Sequence, residues 1–148
     1  MSIWFKPFTL DDLQRLSAAS MSEFLDVRFT EIGADFLRAT MPVNERTRQP
    51  FGLLHGGASV TLAETLGSVA SNCCVDDAKF YCVGQEISAN HIRSARQGRV
   101  TATARSVHLG SRSHVWDIQI ADEQDRLICV SRLTMAVLES RTAGGKAG

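Results

Sequence analysis

Between Gly57 and Cys74 the chain carries a segment, GASVTLAETLGSVASNCC, that leaves a fold little choice. Leu62, Leu66, Val69 and Cys73 recur at helical spacing, and Ala58, Ala63, Gly67 and Ala70 fill most of the remaining surface. A helix that is apolar nearly all round has to be buried. A chain of 148 residues is long enough to bury it inside a single domain, here taken as 1–148.

The rest of the sequence supplies mostly strands to cover it. Residues 24–33 and 34–43 alternate apolar and polar around Gly33 and read as a β-hairpin. After the long helix come four strand-like stretches: AKFYCVGQEISANHI, GRVTATARSVHL, SHVWDIQIAD and RLICVSRLTMAVL. Short turns, RQG, LGSR and DEQDR, separate them. Thr9 with Asp12 forms a capping signal for a first helix over 10–19, within an N-terminal helical extension over 1–20. The segment NERTRQPFGLLHGG is a loop broken by Pro50 and Gly52, and residues 140–148 form a frayed tail. Strands interrupted by one buried helix predict an α+β fold, an antiparallel sheet wrapped on that helix.

Composition removes several function classes. Sixteen basic residues balance sixteen acidic ones, so no net field recommends nucleic acid or an anionic membrane as partner. No apolar run approaches the ~20 residues of a membrane span. The start, MSIWFKPFTLDD, lacks the pattern of a signal peptide, and the expected compartment is the cytosol. Cys73, Cys74, Cys82 and Cys129 have no zinc-like spacing, so no metal is expected and the thiols are read as reduced packing residues.

Within the buried helix, Thr61, Glu64, Thr65 and Ser68 fall at i, i+3, i+4 and i+7 and share one face. A carboxylate there is expensive unless something pairs with it or uses it. A solvent-facing edge, or a Glu–Arg pair, would account for the stripe. The step His55-Gly56-Gly57 points to use instead, because it opens the helix where first-turn N–H groups lack intrahelical acceptors. Those groups and the positive end of the helix dipole favour an anion, and glycine lets a carbonyl approach the backbone closely. Such oxyanion donors are worth roughly 3–4 kcal/mol each in the transition state. Arg93, Arg96, Arg99, Arg105 and Arg112 crowd the second half of the chain, and Arg suits phosphate recognition.

QPFGLLHGGASVTLAETLGS, with VGQEISANHIRS, SVHLGSRSHVWDI and the closing RLTMAVL, closely resembles the hotdog-fold acyl-CoA thioesterases. The nearest branch holds the bacterial 1,4-dihydroxy-2-naphthoyl-CoA thioesterase and the enterobactin-pathway proofreading thioesterase. Likeness runs from about Ile3 to Leu138. The resemblance implies an acyl-CoA thioesterase for aromatic or medium-chain acyl groups, needing no cofactor, since coenzyme A belongs to substrate and product. It implies Glu64 as nucleophile or general base and Gly57 as backbone donor to the thioester carbonyl. Gln49 would assist that donor, His55 orient the thioester, and Ser68 position water or Glu64. Gly84, His91, Ile92, Arg93 and Ser94, and the run His108, Leu109, Gly110, Ser111, Arg112 and Ser113, would line the acyl and CoA sites. Ile92 and Ser94 depart from the branch, which has a second histidine and a proline around His91.

Independently of the family, Gly57 and Glu64 stand about 10 Å apart along a helix rising 1.5 Å per residue. A base and an oxyanion donor must each come within roughly 3 Å of the reacting group. A two-fold homodimer with composite sites resolves the mismatch, and the resemblance adds pairing of dimers into tetramers. Two other readings are a proofreading enzyme acting on a misacylated carrier protein and an acyl-CoA-binding module without turnover. A serine hydrolase is disfavoured, because no G-x-S-x-G is present.

Overall fold

The computed structural model describes residues 1–140, and the predicted tail beyond Ser140 lies outside the described residues. The elements in order are α1 (Leu10–Leu16), α2 (Met21–Phe24), β1 (Arg28–Ile32), β2 (Phe36–Pro42), α3 (Gly56–Cys73), β3 (Phe80–His91), β4 (Arg99–Leu109), β5 (Ser113–Ala121) and β6 (Leu127–Glu139). The strands form one antiparallel sheet in the order β1-β2-β4-β5-β6-β3. The α+β architecture with one long helix against the sheet is the one the apolar segment demanded.

Alternation along the strands makes the core. β2 and β5 turn every second residue inward, so Leu37, Met41, Trp116, Ile118 and Ile120 become fully buried. Leu133 and Met135 on β6 join them against Leu62, Ala63, Leu66 and Ala70 of α3. Gly67 lets helix and sheet approach: a Cβ there would lie 2.6 Å from Leu133 Cδ2. Bulges at Phe29/Glu31, Gly84/Glu86 and Ser106/His108 add local twist, which curls the sheet around the helix.

Two local expectations change. The first helix keeps its predicted cap, with Thr9 and Asp12 bonding reciprocally, but ends at Leu16 rather than residue 19. Residues 24–27 do not begin the hairpin; Met21–Phe24 form a single helical turn instead. The chain reverses through left-handed backbone at Ala19 and Asp26 (φ 55° and 56°), where no glycine announces it. Gly98 and Gly52, both at positive φ, sit in turns that their sequence did announce.

Candidate active site

His55 caps α3. Its Nδ1 accepts the Gly57 N–H at 2.8 Å, while its backbone N–H is anchored on the Thr47 carbonyl at 2.8 Å. An accepting Nδ1 puts the neutral ring's proton on Nε2. The Gly57 N–H, the predicted oxyanion donor, is therefore occupied in this structure by the adjacent imidazole. The Ala58 and Ser59 N–H groups close on the His55 carbonyl.

A cleft of about 340 Å³ opens beside this helix end, lined by Gln49, Leu53, Leu54, Gly56, Ser59, His91, Ile92, Arg93, Ser94 and Ile128. The structure thus brings together Gln49 and the whole His91–Ser94 segment, some forty residues apart in sequence. Gln49 Oε1 is occupied by the Phe51 N–H, which leaves the amide –NH2 as its donor. The His91 ring lies on the first turn of α3: a Cβ on Gly56 would come within 2.7 Å of His91 Nε2. Gly56, unremarked beyond its place in the His-Gly-Gly step, is there to make room for that ring.

Glu64 sits partly buried two turns further along α3. Among the described residues no lysine or arginine pairs with it and no donor reaches it. Among the described residues, then, the Glu–Arg account of the stripe has no partner to offer. Its carboxylate lies against Gly84 at the β3 bulge, where a Cβ would stand 2.5 Å from Oε1. Met135 Sδ lies 4.0 Å from the same point and takes a contact from Ser68 Oγ at 3.6 Å. Glu64 and Gly84 therefore meet, while Ser68 is linked to them only through Met135, a member that sequence reasoning missed. The rest of the stripe is bound to the scaffold: Thr61 Oγ1 donates to the Gly57 carbonyl, and Thr65 Oγ1 meets Ser22 Oγ on α2.

The segment His108–Ser113 is elsewhere. It forms the β4–β5 turn, and its Leu109, Gly110 and Ser111 face the C-terminal end of α3 across a cavity of about 460 Å³ with Phe5, Cys74, Lys79 and Phe80. Phe80 and His91 are opposite ends of β3, roughly 36 Å apart at ~3.3 Å per residue. One protomer does not join the two predicted substrate segments into one site. Of the arginines, Arg99 is taken by Asp26 at 2.8 Å and Arg105 by Asp35 at 2.9 Å. Arg93 and Arg112 have no carboxylate partner among the described residues.

The four thiols are free, and burial pushes Cys73 and Cys82 up to about 11 and Cys74 up to about 12. Thiols so protonated are poor nucleophiles, which leaves the carboxylate as the reactive group beside the helix. No group of three or more potential metal ligands occurs among the described residues. Nor is any described helix long and apolar enough to cross a membrane.

One long helix packed against a six-stranded antiparallel sheet is the arrangement of the hotdog fold. Residues 51–129 match the thioesterase superfamily, and the chain belongs to that family as a thioester hydrolase. It is 56% identical over 136 residues to the 1,4-dihydroxy-2-naphthoyl-CoA hydrolase of Escherichia coli, covering 92% of this chain and 99% of that one. The proofreading thioesterase EntH of Cronobacter sakazakii is 50% identical over 136 residues, covering 92% and 98%. A crystal structure of a mutant thioesterase PA1618 from Pseudomonas aeruginosa superposes with a TM-score of 0.93 at 50% identity, over 94% of this chain and 100% of that one.

Proposed function

We propose that the protein hydrolyses the thioester of an aromatic or medium-chain acyl-CoA, giving the carboxylic acid and free CoA without a cofactor. The observation that carries this reading is the Glu64 carboxylate, with no cationic partner among the described residues, seated where only a glycine leaves room. Water, activated by Glu64, adds to the thioester carbonyl; the C–S bond then breaks, and the sulfur leaves with a proton. Direct attack by Glu64 would reach the same products through an anhydride. The Gln49 amide and the Gly57 N–H, which exchanges His55 Nδ1 for the substrate oxygen, stabilise the oxyanion, helped by the positive end of α3. Arg93 and Arg112, which lie inside the segments matched to the family and have no carboxylate partner among the described residues, take the CoA phosphates.

Assembly supports the chemistry. β3 is an edge strand of twelve residues with Tyr81 and Val83 exposed, a surface that invites pairing. Antiparallel pairing of two β3 strands about a two-fold sets the Phe80 end of one beside the His91 end of the other. The β4–β5 turn of one protomer then meets the partner's α3 N-terminal cleft, and each Glu64 gains the partner's oxyanion donors. Such dimers pair further into a tetramer.

A second reading, supported by the likeness to EntH, keeps the site and replaces CoA by an acylated carrier protein. The test is a CoA-release assay over benzoyl-, dihydroxynaphthoyl- and octanoyl-CoA, with the same acyl groups on an aryl carrier protein. Turnover of at least one thioester, reduced by roughly 10²–10⁴-fold in Glu64→Gln, is the expected result. Turnover unchanged in that variant would remove Glu64 from the chemistry, and release from the carrier alone would replace the CoA reading by the proofreading one.

A further inference from the structure

The cleft beside the α3 N-terminus has two walls that belong to different loops. One is the run 44–55, which carries Gln49, Leu53 and Leu54; the other is the run 92–98 after β3, which carries Ile92, Arg93 and Ser94. Backbone bonds fasten the second wall at three points. The Ile92 and Arg93 N–H groups share the Ile128 carbonyl at 2.7 and 3.2 Å. The Leu54 N–H takes the Ala95 carbonyl at 2.7 Å, and the Val43 N–H takes the Gly98 carbonyl at 2.8 Å. Among the described residues no backbone N–H reaches the carbonyl of Arg96, which lies between the last two ties.

A side chain reaches it instead. Arg48 donates Nε–H at 3.1 Å and Nη2–H at 2.7 Å to the Arg96 carbonyl, so two prongs of the guanidinium close on one oxygen. Bonds from a charged donor are roughly twice as strong as neutral ones, and the planar fork fixes their direction. The base of the brace is itself held. Arg48 bridges Leu54 in an antiparallel pair, its N–H bonds the Asn44 carbonyl at 2.9 Å, and buried Thr47 beside it donates Oγ1–H to the Pro42 carbonyl at 2.8 Å. No carboxylate competes for the guanidinium among the described residues. Arg48 does not line the cleft, so any effect it has on a ligand passes through the loop it holds.

We propose that Arg48 is a positioning residue for ligand capture: its grip on the Arg96 carbonyl keeps the 92–98 loop in the conformation that presents Arg93 to the CoA phosphates. The proposal rests on the reading of Arg93 given above. Without the brace the loop becomes ordered only when ligand arrives, and that ordering is subtracted from affinity. Glu64 and Gln49 stand on α3 and on the opposite wall, so the chemical step is untouched. The loss falls on KM and leaves kcat.

The test measures kcat, KM and the dissociation constant of free CoA, the last by calorimetry. The proteins are the wild type, Arg48→Met, Arg48→Lys, Arg93→Ala and the double variant Arg48→Met with Arg93→Ala. Arg48→Met is expected to raise KM and the CoA dissociation constant about tenfold, equivalent to about 1.4 kcal/mol, with kcat within about twofold of wild type. Lysine keeps the charge but offers no planar fork, so Arg48→Lys recovers only part of the loss. In the Arg93→Ala background, Arg48→Met should change KM less than about twofold, because the group it positions is already gone. Full recovery by lysine would reduce Arg48 to a diffuse cation and overturn the brace. Losses that add in full in the double variant would overturn it too, as would a fall in kcat that tracks a lower melting temperature. The calorimetric arm needs no turnover. A wild type that binds CoA yet hydrolyses no thioester would unseat the hydrolase reading, whereas Arg48→Met binding CoA as tightly as wild type would unseat the brace alone.

Discussion

Gly84 and Glu64 form the pair on which the site turns, and they are twenty residues apart in sequence. A methyl group on Gly84 would meet Glu64 Oε1 at 2.5 Å. The obstacle is the mobile end of a side chain, so the carboxylate moves and the backbone does not. A displacement of about 1 Å in a reacting group is enough for a loss near 10²-fold. Gly84→Ala is accordingly expected to lower kcat by that order with a melting temperature within a few degrees of wild type, measured by CoA release and thermal unfolding. A folded variant of full activity would separate Glu64 from the chemistry. At this scale the sequence was informative where spacing along one helix sufficed: Glu64, Ser68 and the His-Gly-Gly step were all readable. Met135 and the hold of His55 on the Gly57 amide depend on contacts made only after folding, so no pattern in the chain announced them.

Among the elements, one buried network joins α3, β5 and the β4–β5 turn. Trp116 Nε1–H donates to Ser71 Oγ at 2.6 Å, so the serine proton is free to reach His114 Nδ1 at 3.2 Å. The imidazole also bonds the Gly110 backbone, and burial, with His108 nearby, holds its pKa below the usual histidine range. The sign follows from which state binds the proton. Below an unfolded value of about 6.5 the unfolded chain takes up a proton that the native ring resists. Stability from the neutral ring is thus complete above that pH and declines as pH falls through it toward the native value. The melting temperature should drop between pH 7 and 5, before the carboxylates held low by their arginine partners begin to titrate, and His114→Gln should flatten that part of the profile. An unaltered slope in the variant would assign the drop to other groups. Elements were also where the sequence was most reliable. The four later strands and the long helix fell within two residues of their predicted limits, because period-2 and period-3.6 patterns are strong over that length. The failures, α2 and the shortened α1, occurred where left-handed turns sit on Ala19 and Asp26 and where one helical turn is too short to show a period.

For the whole molecule, the question is whether one chain can complete a reaction centre. Within a protomer the His91 cleft and the β4–β5 turn lie at opposite ends of β3, and Glu64 stands two helical turns from the Gly57 donor. A long unpaired edge strand beside the acid offers the means to join them. If each centre takes Glu64 from one protomer and Gln49 from the other, two defective chains repair each other. Co-expressed under separate tags, Glu64→Gln and Gln49→Ala should assort randomly, so half the dimers are mixed. Each mixed dimer then holds one intact centre and one doubly defective centre. Activity should therefore rise to about a quarter of wild type, well above the mean of the two parents, as two-fold composite sites require. Were each centre built within a single chain, the mixed dimer would hold one site lacking Glu64 and one lacking Gln49, and its rate would equal the parental mean. A chain that remains monomeric by size-exclusion chromatography with light scattering, yet turns over thioester at full rate, would equally rule out the shared centre.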